Sequence, residues 1–148
     1  MSTALFRLVY CSRNTIPDQQ GDATTEISAI LAASRANNAR DGVTGALLYS
    51  EGCFAQVLEG ELGTVQQTFE RIQCDMRHGD VVVLEAKNVE QRLFGEWDMA
   101  LAECADPAKT RATLGHALAQ PNGDAGLTVV ALLDGLVRRQ ADWAQAAA

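Results

Sequence analysis

The apolar residues of this chain repeat in a fixed succession: every second residue, then at helical spacing, twice more every second residue, again at helical spacing, and finally in two further extended runs. Strand, helix, strand, strand, helix, strand, strand contains the split βαβ, ferredoxin-like pattern. It predicts an α+β fold, βαββαββ, in which a mixed five-stranded sheet carries two helices on one face. In the first strand Phe6, Leu8 and Tyr10 face one way and Leu5, Arg7, Val9 and Cys11 the other. Thr24 or Thr25 caps the first helix, whose stripe of Ile27, Ile30, Leu31 and Ser34 continues to Asn38 and ends before Gly42.

Val43 to Tyr49 reads as the second strand and Cys53 to Glu59 as the third, joined by the tight Ser50-Glu51-Gly52 connection. A second helix follows Gly63-Thr64, with Val65, Phe69, Ile72 and Met76 on one stripe and Gly79 past its end. Val81 to Ala86 is a β-branched run, and a fifth strand spans Trp97 to Ala102 with Trp97, Met99 and Leu101 on a shared face. Past Pro107 the composition shifts to Ala and small polar residues. A turn at Pro121-Asn122-Gly123-Asp124 precedes a third helical stripe of Val129, Leu132, Leu133, Leu136, Gln140 and Trp143. These appended C-terminal helices are expected to cover the sheet face that the first two leave bare.

Four polar or aromatic features stand on faces that should be oily: Tyr10, Asn38, Gln56 and the Trp97/Met99 pair. A buried amide or hydroxyl without partners costs about 1–3 kcal/mol, so each needs something to bond to. Gln56 is the sharpest case, since it shares a strand face with Phe54 and Leu58. One planar ligand with several hydrogen-bonding groups, lying between the helices and the sheet, would serve most of them together. Taken singly, each has a plainer reading: Tyr10 as a core aromatic, Asn38 as a helix-end residue, Trp97 and Met99 as core.

Composition narrows the classes. A net charge of −7 and a pI of about 4.7 argue against phosphate backbones or anionic membranes as partners. With no basic leader followed by an apolar run, and no apolar stretch near about 18 residues, neither export nor spanning is supported, and a cytoplasmic location is expected. Cys11, Cys53, Cys74 and Cys104 are scattered without CxxC spacing, and His78 and His116 form no helical pair, so the cysteines are expected to be small buried hydrophobes and no metal is called for. No Gly-rich phosphate loop follows a strand, which excludes a dinucleotide-binding Rossmann unit.

Five stretches, RLVYCSR, NNARDGVTGALLY, GCFAQVLEG, RIQCDMRH and RLFGEWDMA, occur in order between Leu5 and about Glu103. In these the chain resembles the BLUF domain, a blue-light sensor that uses a noncovalently bound flavin. The resemblance implies a photosensor domain over residues 1–103, a helical extension over 104–148, and FAD as cofactor, with FMN or riboflavin possible. It makes Tyr10 the electron and proton donor and Gln56 the amide that rearranges. Asn37 and Asn38 become contacts to the isoalloxazine edge, and Ile27 and Ile72 sandwich the ring. Arg71, Asp75, Arg77 and His78 belong to the second-helix segment lining the ring or approaching the ribityl and phosphate groups. Trp97 and Met99 become the fifth-strand pair that moves with signalling. Two features depart from the family pattern: a longer connection after Arg13, and Asp98 where Ser is common.

The same resemblance implies a sensor rather than an enzyme, acting on an unidentified downstream protein, with homo-oligomerisation expected and no direct nucleic-acid or membrane contact. Two readings of other classes compete with it. One is a small acylphosphatase-like hydrolase using Arg13 and Asn38; the other is a ferredoxin-like interaction module that holds no ligand.

Overall fold

The computed structural model describes residues 5–14, 22–50, 53–74, 78–95, 97, 99–102, 107–120 and 123–147. Its elements run β1 (Leu5–Asn14), α1 (Asp22–Asp41), β2 (Thr44–Ser50), β3 (Cys53–Glu61), α2 (Leu62–Gln73), β4 (His78–Val89), β5 (Ala100–Ala102), α3 (Pro107–Ala119) and α4 (Gly123–Ala147). The sheet has the order β4-β1-β3-β2-β5. Every neighbouring pair is antiparallel except β2 with β5, which is parallel. This is the mixed, ferredoxin-like α+β sheet expected from the succession of periods.

Alternation along the strands sorts side chains into two clusters. On one side Leu8, Tyr10, Leu47, Phe54, Leu58 and Met99 pack with Val65 and Phe69 of α2. On the other, Val9, Cys11, Ala46, Leu48, Ala55 and Val57 meet Leu114 and Ala117 of α3 and Val129, Leu133, Leu136 and Val137 of α4. The face expected to be bare is therefore covered by α3 and α4, and each fully buried leucine there contributes about 1.5–3 kcal/mol. Gln140 and Trp143, placed on the same stripe from sequence, have side chains outside the described residues.

Three strands differ in length from the sequence reading, for reasons of pairing: β3 runs two residues past Glu59, to Glu61, because Gly60 and Glu61 face Phe6 and Leu5 of β1. β4 reaches from His78 to Val89, beyond Val81 to Ala86, because its ladder with β1 runs from Leu5↔Val89 to Asn14↔His78. A bulge interrupts that ladder: Val9 faces Glu85 but Tyr10 faces Val83. Leu84, the extra residue, thereby joins Glu85 on the α3/α4 side. Leu84 enters the core there, while Glu85 pairs with Arg7, Oε1 lying 2.7 Å from the guanidinium Nη2. Gly126 of α4 lies against this pair, and a Cβ on it would come within 2.8 Å of the Glu85 Cβ. β5 is shorter than the expected Trp97 to Ala102, since only Ala100 to Ala102 find partners, on Ala46 to Leu48.

Candidate functional site

The β1/β3 register sets Tyr10 directly opposite Gln56 on the α2 side of the sheet. Both are buried, Tyr10 at 0% and Gln56 at 3% exposure. The Tyr10 hydroxyl donates to Gln56 Oε1. On its other side the same amide offers Nε2 to the sulfur of Met99, 3.4 Å away. Oxygen and nitrogen thus each have a partner, which is what permits an amide between Phe54 and Leu58. The Tyr10 ring is held in turn by Phe69 of α2, with centroids 5.5 Å apart and planes tilted by 52°.

α1 brings further polar groups to this side. Asn38 is 2% exposed and Asn37 half-buried, three and four residues before the helix ends at Asp41. Gly42 follows at φ 71°, and the Val43 N–H donates to the Asn38 carbonyl at 2.9 Å. That is a Schellman cap, in which a left-handed residue, best supplied by glycine, closes the last turn. It delivers the chain directly into β2 and so fixes the height of Asn38 over the sheet. Arg35, one turn earlier, donates from Nε to the Met99 carbonyl at 3.0 Å.

Trp97 and Met99 do not share a face. Both precede the paired residues of β5, so regular alternation does not bind them. Met99, with Leu101, belongs to the Tyr10 and Gln56 side; Trp97, half-buried, packs against the α3/α4 cluster. Backbone bonds hold the segment, from Trp97 N–H to Phe94 O at 3.0 Å and from Gly45 N–H to Trp97 O at 3.3 Å.

The second-helix group is less unified than its sequence suggests. Arg71 donates to Asp41 Oδ2 at 3.1 Å and to Thr68 Oγ1 at 3.3 Å, joining the ends of α2 and α1. Arg40 donates to the same carboxylate at 3.0 Å. Its hydrogen bond is the largest effect and, with a lesser one from Arg71, holds the Asp41 carboxyl below the usual carboxylate range against burial, which opposes it less strongly than the Arg40 bond does; the Arg40 guanidinium is raised in return. These groups border an open cleft of about 580 Å³ shared with Gln67, Glu70 and Cys74. Cys74 is exposed, contrary to the expectation of four buried cysteines, because it follows the last turn of α2 into solvent; Cys11 is buried as expected. The side chains of Cys53 and Cys104 lie outside the described residues.

His78 is not part of the second helix: α2 ends at Gln73, and His78 opens β4 opposite Asn14. The β-branched run at 81–83 extends back along β1 and claims it for the sheet. Ile27 and Ile72 lie in α1 and α2, but their side chains, like Asp75 and Arg77 altogether, are outside the described residues. Among the described residues no cluster of His, Cys, Asp and Glu is placed to hold a metal, and no helix is long and apolar enough to cross a membrane.

Sequence reasoning missed Glu59, Thr44 and Arg92. Glu59 is fully buried and accepts from the N–H groups of Leu93 and Phe94 at 2.7 and 3.0 Å and from the Thr44 hydroxyl at 3.0 Å. The signal was available: Glu59 alternates with Val57 and Ala55 on an apolar face, as Gln56 does with Phe54 and Leu58.

The sequence model for sensors of blue-light using FAD matches residues 5–100. The chain belongs to the BLUF family. Photoactivated adenylate cyclase subunit beta of Euglena gracilis is 35% identical over 101 residues, 68% of this chain but only 11% of that relative. The dark-state structure of the BLUF protein BlrB superposes with a TM-score of 0.67 at 27% identity, covering 89% of this chain and 98% of the other. Klebsiella pneumoniae BlrP1 with FMN and cyclic diGMP gives a TM-score of 0.62 at 27% identity over 78% of this chain and 35% of its own. The BLUF domain is a flavin-using blue-light sensor module and not itself catalytic, although some relatives carry it joined to a cyclase.

A flavin ring presents carbonyl and ring-nitrogen acceptors, an imide donor and two broad apolar faces, and calls for amides at its edge with aliphatic and aromatic neighbours. Buried amides at Asn38 and Gln56, the Tyr10 phenol bonded to Gln56 and the apolar cluster around Leu47, Phe54 and Leu58 are that set. The residues present fit the group.

Proposed function

We propose that this chain is a blue-light photoreceptor that takes FAD between α1 and α2, against the sheet, and switches through Tyr10 and Gln56. The observation that carries the reading is the buried hydrogen bond from the Tyr10 hydroxyl to the Gln56 amide, with Met99 on the amide's far side. In this reading Asn37 and Asn38 hold the ring edge, Ile27 and Ile72 its faces, and Arg71, Asp75, Arg77 and His78 the segment nearest the ribityl and phosphate groups. Arg71 already binds Asp41, so a phosphate there competes with that carboxylate.

When bound, an oxidised flavin would supply blue-light absorption and an excited state oxidising enough to draw on a neighbouring phenol. Tyr10 gives up an electron, and its hydroxyl proton moves to Gln56 Oε1, the atom it already donates to. The electron returns to Tyr10 with one proton, either the same one from Oε1, which leaves the amide free to turn over, or one from Nε2 while Oε1 keeps its own, which leaves the imidic tautomer; no net oxidation remains in either case. Gln56 is left turned over or as its imidic tautomer, exchanging donor and acceptor without backbone movement. Met99 cannot supply a hydrogen to an amide oxygen turned toward it. The turned amide is therefore driven to seek new partners, and Met99 is released.

Output passes from the segment holding Trp97 and Met99 to the C-terminal helices and on to a separate protein, or to a change of homo-oligomeric assembly. A cytoplasmic location belongs to the same reading, on the acidic charge and scattered cysteines. The test is the absorption spectrum of purified, FAD-reconstituted protein before, during and after blue illumination. A shift to longer wavelength that reverses in the dark is expected. Failure to retain any flavin, or a flavin spectrum indifferent to blue light, refutes the proposal.

A further inference from the structure

Glu59 is a carboxylate at 0% exposure, on the same strand as Gln56 but on the opposite face. Burying a charge is costly unless every oxygen is bonded, and here each is. Oε2 accepts from the Leu93 N–H, while Oε1 accepts from the Phe94 N–H and the Thr44 hydroxyl. Arg92 completes the group: Nη1 donates to Thr44 Oγ1 at 2.9 Å and to the Glu59 carbonyl at 3.2 Å, and Nη2 to the Gly42 carbonyl at 2.9 Å. The Thr44 hydroxyl thus receives from Arg92 and gives to Glu59.

Every one of these bonds ends on residues 92–94, on β2, or on the cap of α1. From Phe94 the bonding continues to Trp97 and from Trp97 to Gly45, so the entry of Met99 into the sheet is set from Glu59 forward. We propose that Glu59 is a positioning residue of the sensor: by clamping the 92–94 backbone it sets where Met99 meets the Gln56 amide. The inference rests on Gln56 being the switching amide, and adds that the contact it reads is held in place from the far side of the same strand.

The test uses the flavin-loaded full chain and two readouts: the dark-recovery rate after blue light, and the methionine methyl resonance of Met99, one of three methionines, assigned by Met99→Leu. Glu59→Gln keeps the size but turns one acceptor into a donor facing donors, so at least one clamp bond is lost. The Met99 resonance should move in the dark, and recovery should change by about fivefold, the factor that one net hydrogen bond represents. Glu59→Asp, with both acceptor oxygens, should lie nearer wild type. A folded Glu59→Gln protein with wild-type recovery and an unmoved Met99 resonance overturns the clamp. Should Glu59→Gln fail to fold, Thr44→Val, which removes only the hydroxyl link, is read in the same way and decides. Should the wild type show no blue-light shift, the reading of Gln56 falls, and the dark Met99 resonance in the variants still decides whether Glu59 positions that residue.

Discussion

Removing the Tyr10 hydroxyl isolates the bond on which the proposed switch depends. In Tyr10→Phe the ring keeps its place against Phe69, but Gln56 Oε1 loses its phenol donor inside a side chain that is 3% exposed. Turning the amide over does not repair this, since the Met99 sulfur has no hydrogen to give, and an unsatisfied buried acceptor costs about 1–3 kcal/mol. At the ~2–4 °C per kcal/mol expected for a chain of this size, a mid-range cost lowers the melting temperature by about 4–8 °C. Gln56→Leu takes the amide acceptor from the buried Tyr10 hydroxyl but gains apolar burial between Phe54 and Leu58, so it should cost less than Tyr10→Phe, about 1 kcal/mol. With both partners removed nothing is left mismatched at that bond, so the double variant should be more stable than the summed singles by about 1–2 kcal/mol. Urea unfolding of flavin-free protein, followed by circular dichroism, measures all four corners of the cycle. Additivity within about 0.5 kcal/mol would mean that phenol and amide are not bonded. With flavin added, both single variants should hold it and lose the reversible shift; a full shift in either refutes their assignment as the photoactive pair.

Two other predictions concern ion pairs. Glu85→Ala strands Arg7, whose side chain is 9% exposed, and breaking a buried pair of this kind costs about 3–5 kcal/mol, or roughly 10 °C in melting temperature, which calorimetry would measure; a loss under about 1 kcal/mol would show that Arg7 reaches solvent. The Asp41 carboxyl is held below its ordinary 3.8 by Arg40 and then Arg71, so its contribution is present above that value and fades as pH falls through the lowered one. The urea midpoint of wild type should therefore drop more than that of Asp41→Asn between about pH 5 and about pH 3, and equal drops would remove Asp41 as the acid-sensitive tie between α1 and α2.

The helices and the faces of β1 and β3 could be read from the sequence because each rests on local period: alternation alone puts Tyr10 with Leu8 and Gln56 with Phe54 and Leu58, whereas the link between Tyr10 and Gln56 came from the family resemblance. What could not be read depends on pairing across the sheet. His78 looked like the end of a charged helix until the β1 ladder claimed it, and the Leu84 bulge, which lets Leu84 and Glu85 face the same way, has no local signature. Trp97 and Met99, two residues apart, imply one shared face only inside a paired strand, and pairing begins at Ala100. Glu59 was passed over for the opposite reason. Its alternation was visible, but a glutamate near a strand end reads as solvent-facing until Leu93, Phe94 and Thr44 are seen to converge on it.

That crossing of faces bears on how, in the proposed switch, a photon's effect would leave the site. Exchanging one hydrogen bond at Gln56 is worth about 1 kcal/mol, whereas carrying a two-state element from 1:99 to 99:1 takes about 5.5 kcal/mol. The amide lies on the α1/α2 side and α4 on the other, so the remainder must come from groups that touch both. The segment entering β5 does so, with Met99 beside Gln56, Trp97 against the α3/α4 cluster, and Arg138 of α4 donating to the Leu93 carbonyl at 3.2 Å. Full burial of a methionine is worth about 1.5–3 kcal/mol, and half of a tryptophan's 150–250 Å² at about 25 cal/mol per Å² adds about 2–3 kcal/mol. Together with the single bond these reach the size required. A segment that repacks Met99 and Trp97 in one movement can therefore carry the switch to α4, where either side chain moving alone falls short.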